Sequence, residues 1–146
     1  LAGNGFASYF GDGQVSALAL FNNPNGLAID KNNNIYIVDV GNNCIRKINS
    51  IGIISTIAGT GISGTPTEGA TATSINLSNL KGITLDQNNN IYIINGFFIR
   101  KISSTGILSS IAGNNSTTES DPIDSSRSYT CDIITLCSSN NSFIFF

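Results

Sequence analysis

NPNGLAIDKNNNIYIVDVGNNCIRKI, residues 23–48, decides the fold. Within it, GLAID (26–30) is short, apolar and ends in a turn former, so it reads as a strand, a. KNNN (31–34) follows, and Asn tolerates the left-handed region and bonds its own backbone, which predicts a hairpin turn. NIYIVD (34–39) is a continuous β-branched and aromatic run, strand b, and its lack of alternation implies cover on both faces. VGNN (40–43) is a second turn. CIRKIN (44–49) is strand c, anchored by Ile45 and Ile48. Ser50, Ile51 and Gly52 form a three-residue hairpin loop in which Gly supplies positive φ, and IISTIAG (53–59) is strand d. No window has helical period with a helix start signal.

The unit repeats. NLKGITLDQNNNIYII at 79–94 copies 23–38, and FIRKISSTGILSSIAG at 98–113 copies CIRKINSIGIISTIAG at 44–59. Gly26 and Gly82 are 56 residues apart (82 − 26), while Arg46 and Arg100 are 54 apart (100 − 46). The two missing residues fall between Tyr92 and Arg100, and a length change confined to one spot marks a loop. LAGNG at 1–5 recurs as IAGTG at 57–61 and IAGNN at 111–115, and ITLCSSNNSFIFF at 134–146 imitates 83–94. The expected organisation is the end of a preceding strand d at 1–3, blade one at 26–59, blade two at 82–113 and the first strands of a degenerate third blade at 132–146. Four-stranded meanders cannot bury both faces of strand b alone, and radial stacking does so. The prediction is all-β, a β-propeller fragment of about two and a half blades.

These residues resemble the NHL repeat, P-x-G-[IV]-A-[VI]-D-x-x-G-N-[IV]-Y-[VI]-A-D-x-x-N-[HN]-R-[IV], in its long-linker form. The resemblance covers 1–113 well and 132–146 weakly. Departures are Leu80 for Pro24, Asn95 for Asp39, the shortened second b–c turn, and Cys44 where Arg or His is usual. The family implies a ring of six blades and largely non-catalytic recognition of proteins or ligands. Related propellers that act as hydrolases or lyases hold a channel metal, which keeps one alternative open: a fragment of such an enzyme whose missing blades supply the ligands. A truncated, degenerate remnant is the other.

Composition narrows the chemistry. The chain has no His, which removes the commonest general base and metal ligand. Charged residues are 11 %, so neutral polar residues must carry solubility. Net charge is −2 with basic doublets only at Arg46-Lys47 and Arg100-Lys101, which argues against nucleic acid. No run reaches the length of a membrane-spanning helix. Three Cys (Cys44, Cys131, Cys137) do not make a disulfide framework, and the oxidation state of the latter two is left open. N-x-[ST] acceptors at Asn76, Asn114, Asn115 and Asn140 arise readily in so Asn-rich a chain, and give localisation only a lean toward the extracellular side.

In an antiparallel meander the b–c turn and the d-to-a linker share one rim. That places Asp12, Asp39, Asn42, Asn43, Arg46, Glu68 and Arg100 together as candidate binding residues for a protein or small ligand. Asp39 and Arg46 are expected to pair across the b–c turn, an interaction worth about 0–1 kcal/mol if exposed. Asp12 in FGDGQ, matched by Glu68 in TEGAT, suggests Ca²⁺ as the one cofactor to consider, although one carboxylate per loop is thin for an ion wanting six to eight oxygens. Asp30 and Asp86, with Gly52 and Gly106, are read as structural turn residues, and no catalytic residue is assigned. Either further blades in a longer chain or self-association is expected to complete the ring.

Overall fold

The computed structural model describes residues 2–113 and the pairs 138–139 and 142–143. The strands are β1 (Pro24–Ile29), β2 (Ile35–Asp39), β3 (Cys44–Ile48), β4 (Ile54–Ala58), β5 (Leu80–Leu85), β6 (Ile91–Asn95), β7 (Phe98–Ile102), β8 (Leu108–Ala112), β9 (Ser138–Ser139) and β10 (Ser142–Phe143). They form two four-stranded antiparallel sheets in sequential order, β1 to β4 and β5 to β8, and a two-stranded hairpin. The described residues contain no α-helix, only single 3₁₀ turns at Ser16–Leu18, Val40–Asn42 and Ala72–Ser74. The architecture is a β-propeller fragment.

The first sheet begins at Pro24 rather than Gly26. Pro24 pairs with Asp39, and a bulge separates that pair from Leu27 with Ile37. Gly26 occupies the bulge with φ +88°, and a Cβ there would lie 2.9 Å from the carbonyl oxygen of Lys81 on the neighbouring sheet. Glycine is thus what lets the inner strands of two blades approach. Ala2 and Gly3, expected at the end of a strand d, lie outside any strand. The Gly3 N–H donates to the Ser16 carbonyl (3.0 Å) as Gly59 donates to Ala72 (2.8 Å). Of the expected third blade, only the β9–β10 pair falls within the described residues.

The two-residue deletion sits at the b–c turn. Asp39 pairs with Cys44 across four loop residues, with Asn43 left-handed at φ +49°, whereas Asn95 pairs with Phe98 across Gly96 and Phe97 alone. The a–b turns are closed by carboxylates. Asp30 accepts from the backbone N–H of Asn32 and Asn34 (both 2.9 Å), from Asn34 Nδ2 (2.7 Å) and from the Tyr36 hydroxyl (3.1 Å). Asp86 repeats the set with Asn88, Asn90 and Tyr92. Asn33 and Asn89 take the left-handed residue of each turn. Gly52 and Gly106 do so in the c–d loops, at φ +85° and +82°.

Alternation along the strands gives each sheet two faces. The rear face of the first sheet (Tyr36, Val38, Ile45, with Ala58) packs on the front face of the second (Ile91, Ile93, Ile102, Leu108), and Ile75, Leu77 and Leu80 close this core. Strand β6 is buried along its whole length.

The linkers do more than connect. Gly13 and Ser16 donate to the carbonyls of Ile54 and Gly52 (both 2.8 Å), and Ile54 donates back to Gln14 (3.0 Å). In the second linker, Gly69 and Ala72 bond Leu108 and Gly106 in the same way. Each linker therefore covers the outer edge of the blade that follows it, satisfying backbone groups an open edge would expose.

Candidate functional site

Arg46 leaves β3 beneath the first linker, and its side chain is fully buried. Nη2 donates to Asp12 Oδ1 (2.8 Å) and the Phe10 carbonyl (3.2 Å), and Nη1 to the Leu20 carbonyl (3.4 Å). The guanidinium lies 4.8 Å from the Tyr9 ring centroid and 5.6 Å from that of Phe21. Asp39 Oδ2 is 3.6 Å from Nη1, and this carboxylate also accepts from the Asn22 N–H and Asn42 Nδ2 (both 2.8 Å). The expected Asp39–Arg46 pair thus forms, but between two groups that are 0 % exposed, so a value for exposed pairs does not apply. Arg46 Nε is buried without a hydrogen-bond partner.

The second blade builds the same device from different residues. Arg100 Nε donates to Asn95 Oδ1 (2.8 Å), and Nη1 to Glu68 and to Ser110 Oγ (2.6 Å). Its guanidinium lies 4.5 Å from the Phe98 ring centroid. Glu68 accepts from the Ser110 N–H (2.8 Å) and hydroxyl, as Asp12 does from Thr56 (3.1 and 3.2 Å). In both blades an arginine in the middle of strand c reaches up to hold an acid of the preceding linker.

Six of the seven candidates therefore fall into two groups that bond inward, Asp12 with Asp39, Asn42 and Arg46, and Glu68 with Arg100. Asn42 also reaches the Ser8 carbonyl (2.8 Å), and Asn43 that of Gly61 (3.4 Å). Arg46, Arg100 and Asp39 are buried, while Asp12 and Glu68 keep 41 % and 54 % of their side chains in water.

Protonation follows from these contacts. Burial raises the Asp12 carboxyl, but the Thr56 hydrogen bonds and the Arg46 cation outweigh it and hold it below its ordinary value. Hydrogen bonds from Ser110 lead in lowering Glu68, with Arg100 assisting. Asp39 moves the other way, since burial lifts it despite Asn42, Asn22 and Arg46. Burial and nearby Asp39 push the Cys44 thiol up to about 12.

As for Ca²⁺, all oxygens of Asp12 and Glu68 already face N–H or O–H donors, where a cation would need them turned toward itself. Among the described residues no three His, Cys, Asp or Glu side chains come together as metal ligands would. On the opposite end of the blades, a cleft of about 530 Å³ lies between the two a–b turns, with Ile29, Asp30, Leu85 and Asp86 among its lining. Its two carboxylates are taken up by their own turns.

What sequence reasoning missed on the rim is apolar. Phe6, Tyr9 and Phe10 of the first linker are 75 %, 49 % and 56 % exposed, Ile62 of the second is 63 %, and Phe97 at the shortened b–c turn is 79 %. The available signal was a Phe placed beside turn glycines, in GNGF and NGFF. A search weighted toward charged groups passed over it.

Comparison with known proteins agrees with this geometry. The family model for the Teneurin NHL domain matches twice, over residues 6–67 and 63–137. NHL repeat-containing protein 2 of Gallus gallus is 51 % identical over 59 residues, which cover 40 % of this chain and 8 % of that protein. Teneurin-4 of Homo sapiens is 30 % identical over 102 residues, covering 61 % of this chain and 4 % of that protein. A solved protein of unknown function from Bacteroides thetaiotaomicron aligns with TM-score 0.53 at 28 % identity, over 63 % of this chain and 23 % of that one. The chain spans less than a tenth of the length of these curated relatives. With both of its repeats matched by one family model, the chain belongs to the Teneurin NHL domain family.

Proposed function

We propose that this NHL-repeat propeller segment is a non-catalytic recognition scaffold that binds a protein partner through the rim carrying the linkers and b–c turns. The observation that carries the reading is the set of exposed aromatic side chains, Phe6, Tyr9, Phe10 and Phe97, on loops whose backbone is tied down. Aromatic groups dominate the energetics of protein interfaces, and holding them on ordered loops lowers the entropy lost on binding. Arg46 and Arg100 act from beneath by fixing the loops. Asp12 and Glu68 keep part of their side chains in water on the same rim.

The test is selection of a displayed peptide library against the 146-residue chain. Selected peptides should bind the parent chain and lose at least about tenfold in affinity when Phe6, Phe10 and Phe97 are changed to Ser. Failure to enrich any peptide, or equal binding to the triple variant, would overturn the reading.

A further inference from the structure

Asn followed by Gly is the pair at which a chain most readily modifies itself, because a glycine nitrogen, with no Cβ beside it, can reach the Asn side-chain carbonyl. The chain has three such pairs, Asn4-Gly5, Asn25-Gly26 and Asn95-Gly96. The fold treats them differently. Asn95 is 5 % exposed, its Nδ2 donates to the Ser78 carbonyl, its Oδ1 accepts from Arg100 Nε (2.8 Å), and the Gly96 N–H donates to the Asn79 carbonyl (3.0 Å). Both the nitrogen that would attack and the amide that would leave are tied down. Gly26 is held at the bulge of the β1–β2 ladder, with its backbone against the Lys81 carbonyl.

The first pair is open. Asn4 and Gly5 are exposed, and nothing lies within 4 Å of where a Gly5 Cβ would stand. The Gly5 N–H takes no acceptor among the described residues. Asn4 Oδ1 accepts from the Phe6 N–H (3.2 Å), a local turn that folds the side chain back over the intervening Gly5 nitrogen. The same donor polarises the side-chain carbonyl and is placed to share the negative charge its oxygen gains when the carbon is attacked. Exposure at this place in the repeat does not depend on whether a blade stands before it. Thr60 and Gly61, the matching residues of the second linker, are exposed although Asn43 of the first blade donates to the Gly61 carbonyl (3.4 Å).

We propose that Asn4-Gly5 is a self-modification site of the folded chain. The Gly5 nitrogen attacks Asn4 Cγ, the Cγ–Nδ2 bond breaks, and Nδ2 leaves as ammonia with the proton that Gly5 gives up. One water then opens the five-membered imide at either carbonyl, giving aspartate or isoaspartate at position 4. The sum is one amide and one water to one carboxylic acid and one ammonia, which balances without oxidant, metal or cofactor. The product sets a negative charge two residues from the exposed ring of Phe6, and the isoaspartate form adds a methylene to the main chain there. The conversion itself needs no partner.

The experiment incubates the 146-residue chain at mildly alkaline pH, native and in urea, and follows its peptic peptides by mass spectrometry, with fragmentation that separates aspartate from isoaspartate. In the native chain the peptide holding Asn4 should convert at least about tenfold faster than the one holding Asn95, which reacts only when the fold opens. In urea Asn95 should catch up. Gly5→Ala should slow conversion at position 4 and leave the rates at Asn25 and Asn95 unchanged. A native chain in which Asn4 stays intact, equal native rates at Asn4 and Asn95, or a Gly5→Ala chain that converts as fast as the wild type would each overturn the proposal.

Discussion

Arg46 Nη2 stands 2.8 Å from Asp12 Oδ1 across a sequence separation of 34 residues, and this bond joins the linker to the blade it precedes. The arginine is wholly buried while the aspartate is partly in water, so the two ends are not equivalent. Arg46→Ala would also strip the buried Asp39 of its only cation within salt-bridge distance among the described residues. Loss of one partner of a buried pair costs about 3–5 kcal/mol. We expect that loss in urea denaturation, and about 1 kcal/mol for Asp12→Ala, whose partner keeps two carbonyl acceptors. Arg46→Lys should recover only part, since an ammonium cannot reproduce the fork.

Acid should destabilise the fold, chiefly through the turn carboxylates. Burial raises Asp30 and Asp86, but the Asn and Tyr hydrogen bonds outweigh it and leave both below the ordinary 3.8. The unfolded chain then binds more protons, so their contribution is whole above 3.8 and is lost as pH falls through the folded values. Asp39, raised by burial, opposes part of this loss, because its protonation favours the folded chain. Urea midpoints should fall below about pH 4. Asp30→Asn with Asp86→Asn should be less stable at neutral pH and show a shallower acid slope. An unchanged slope would locate the acid sensitivity elsewhere.

Gly26→Ala tests how closely the blades meet. The new Cβ would press on the Lys81 carbonyl at 2.9 Å in a backbone conformation that L-residues resist. We expect about 2–3 kcal/mol of destabilisation. Gly13→Ala, at φ +79° with nothing within 4 Å, should cost about 1 kcal/mol, the strain alone. Equal losses in the two variants would show that the interblade contact is not what makes Gly26 necessary.

Cys44 is buried, and burial pushes its thiol up to about 12, so it should be inert in the native chain. With Cys131→Ser and Cys137→Ser in place, Ellman's reagent should find no thiol until urea is added. Prompt native labelling would mean that the linker over β3 opens readily.

Much of the fold was legible because it is written locally. The β-branched run Ile35–Val38 and the turn residues Asp30–Asn34 act on neighbours a few residues away, and each recurs in the second repeat. Strand direction alone brought Asp12, Asp39, Arg46, Glu68 and Arg100 to one rim. Sequence gave no sign that Arg46 and Arg100 point inward, because a cation on an alternating strand reads as solvated unless something lies over it. The cover is a linker whose path is set by pairing with β4 or β8, tens of residues downstream.

Sequence by itself determined the strands, their turns and the existence of the repeat, since dihedral preference and residue period are properties of short stretches. Tertiary structure alone decided which faces are buried. Leu27 and Ile83 occupy the same place in the repeat, yet one is open and the other packed, because burial depends on whether another blade stands in front. The same holds on the rim. Whether an arginine there meets a ligand or a loop is settled by the chain folded above it, a contact between distant segments that no short stretch encodes.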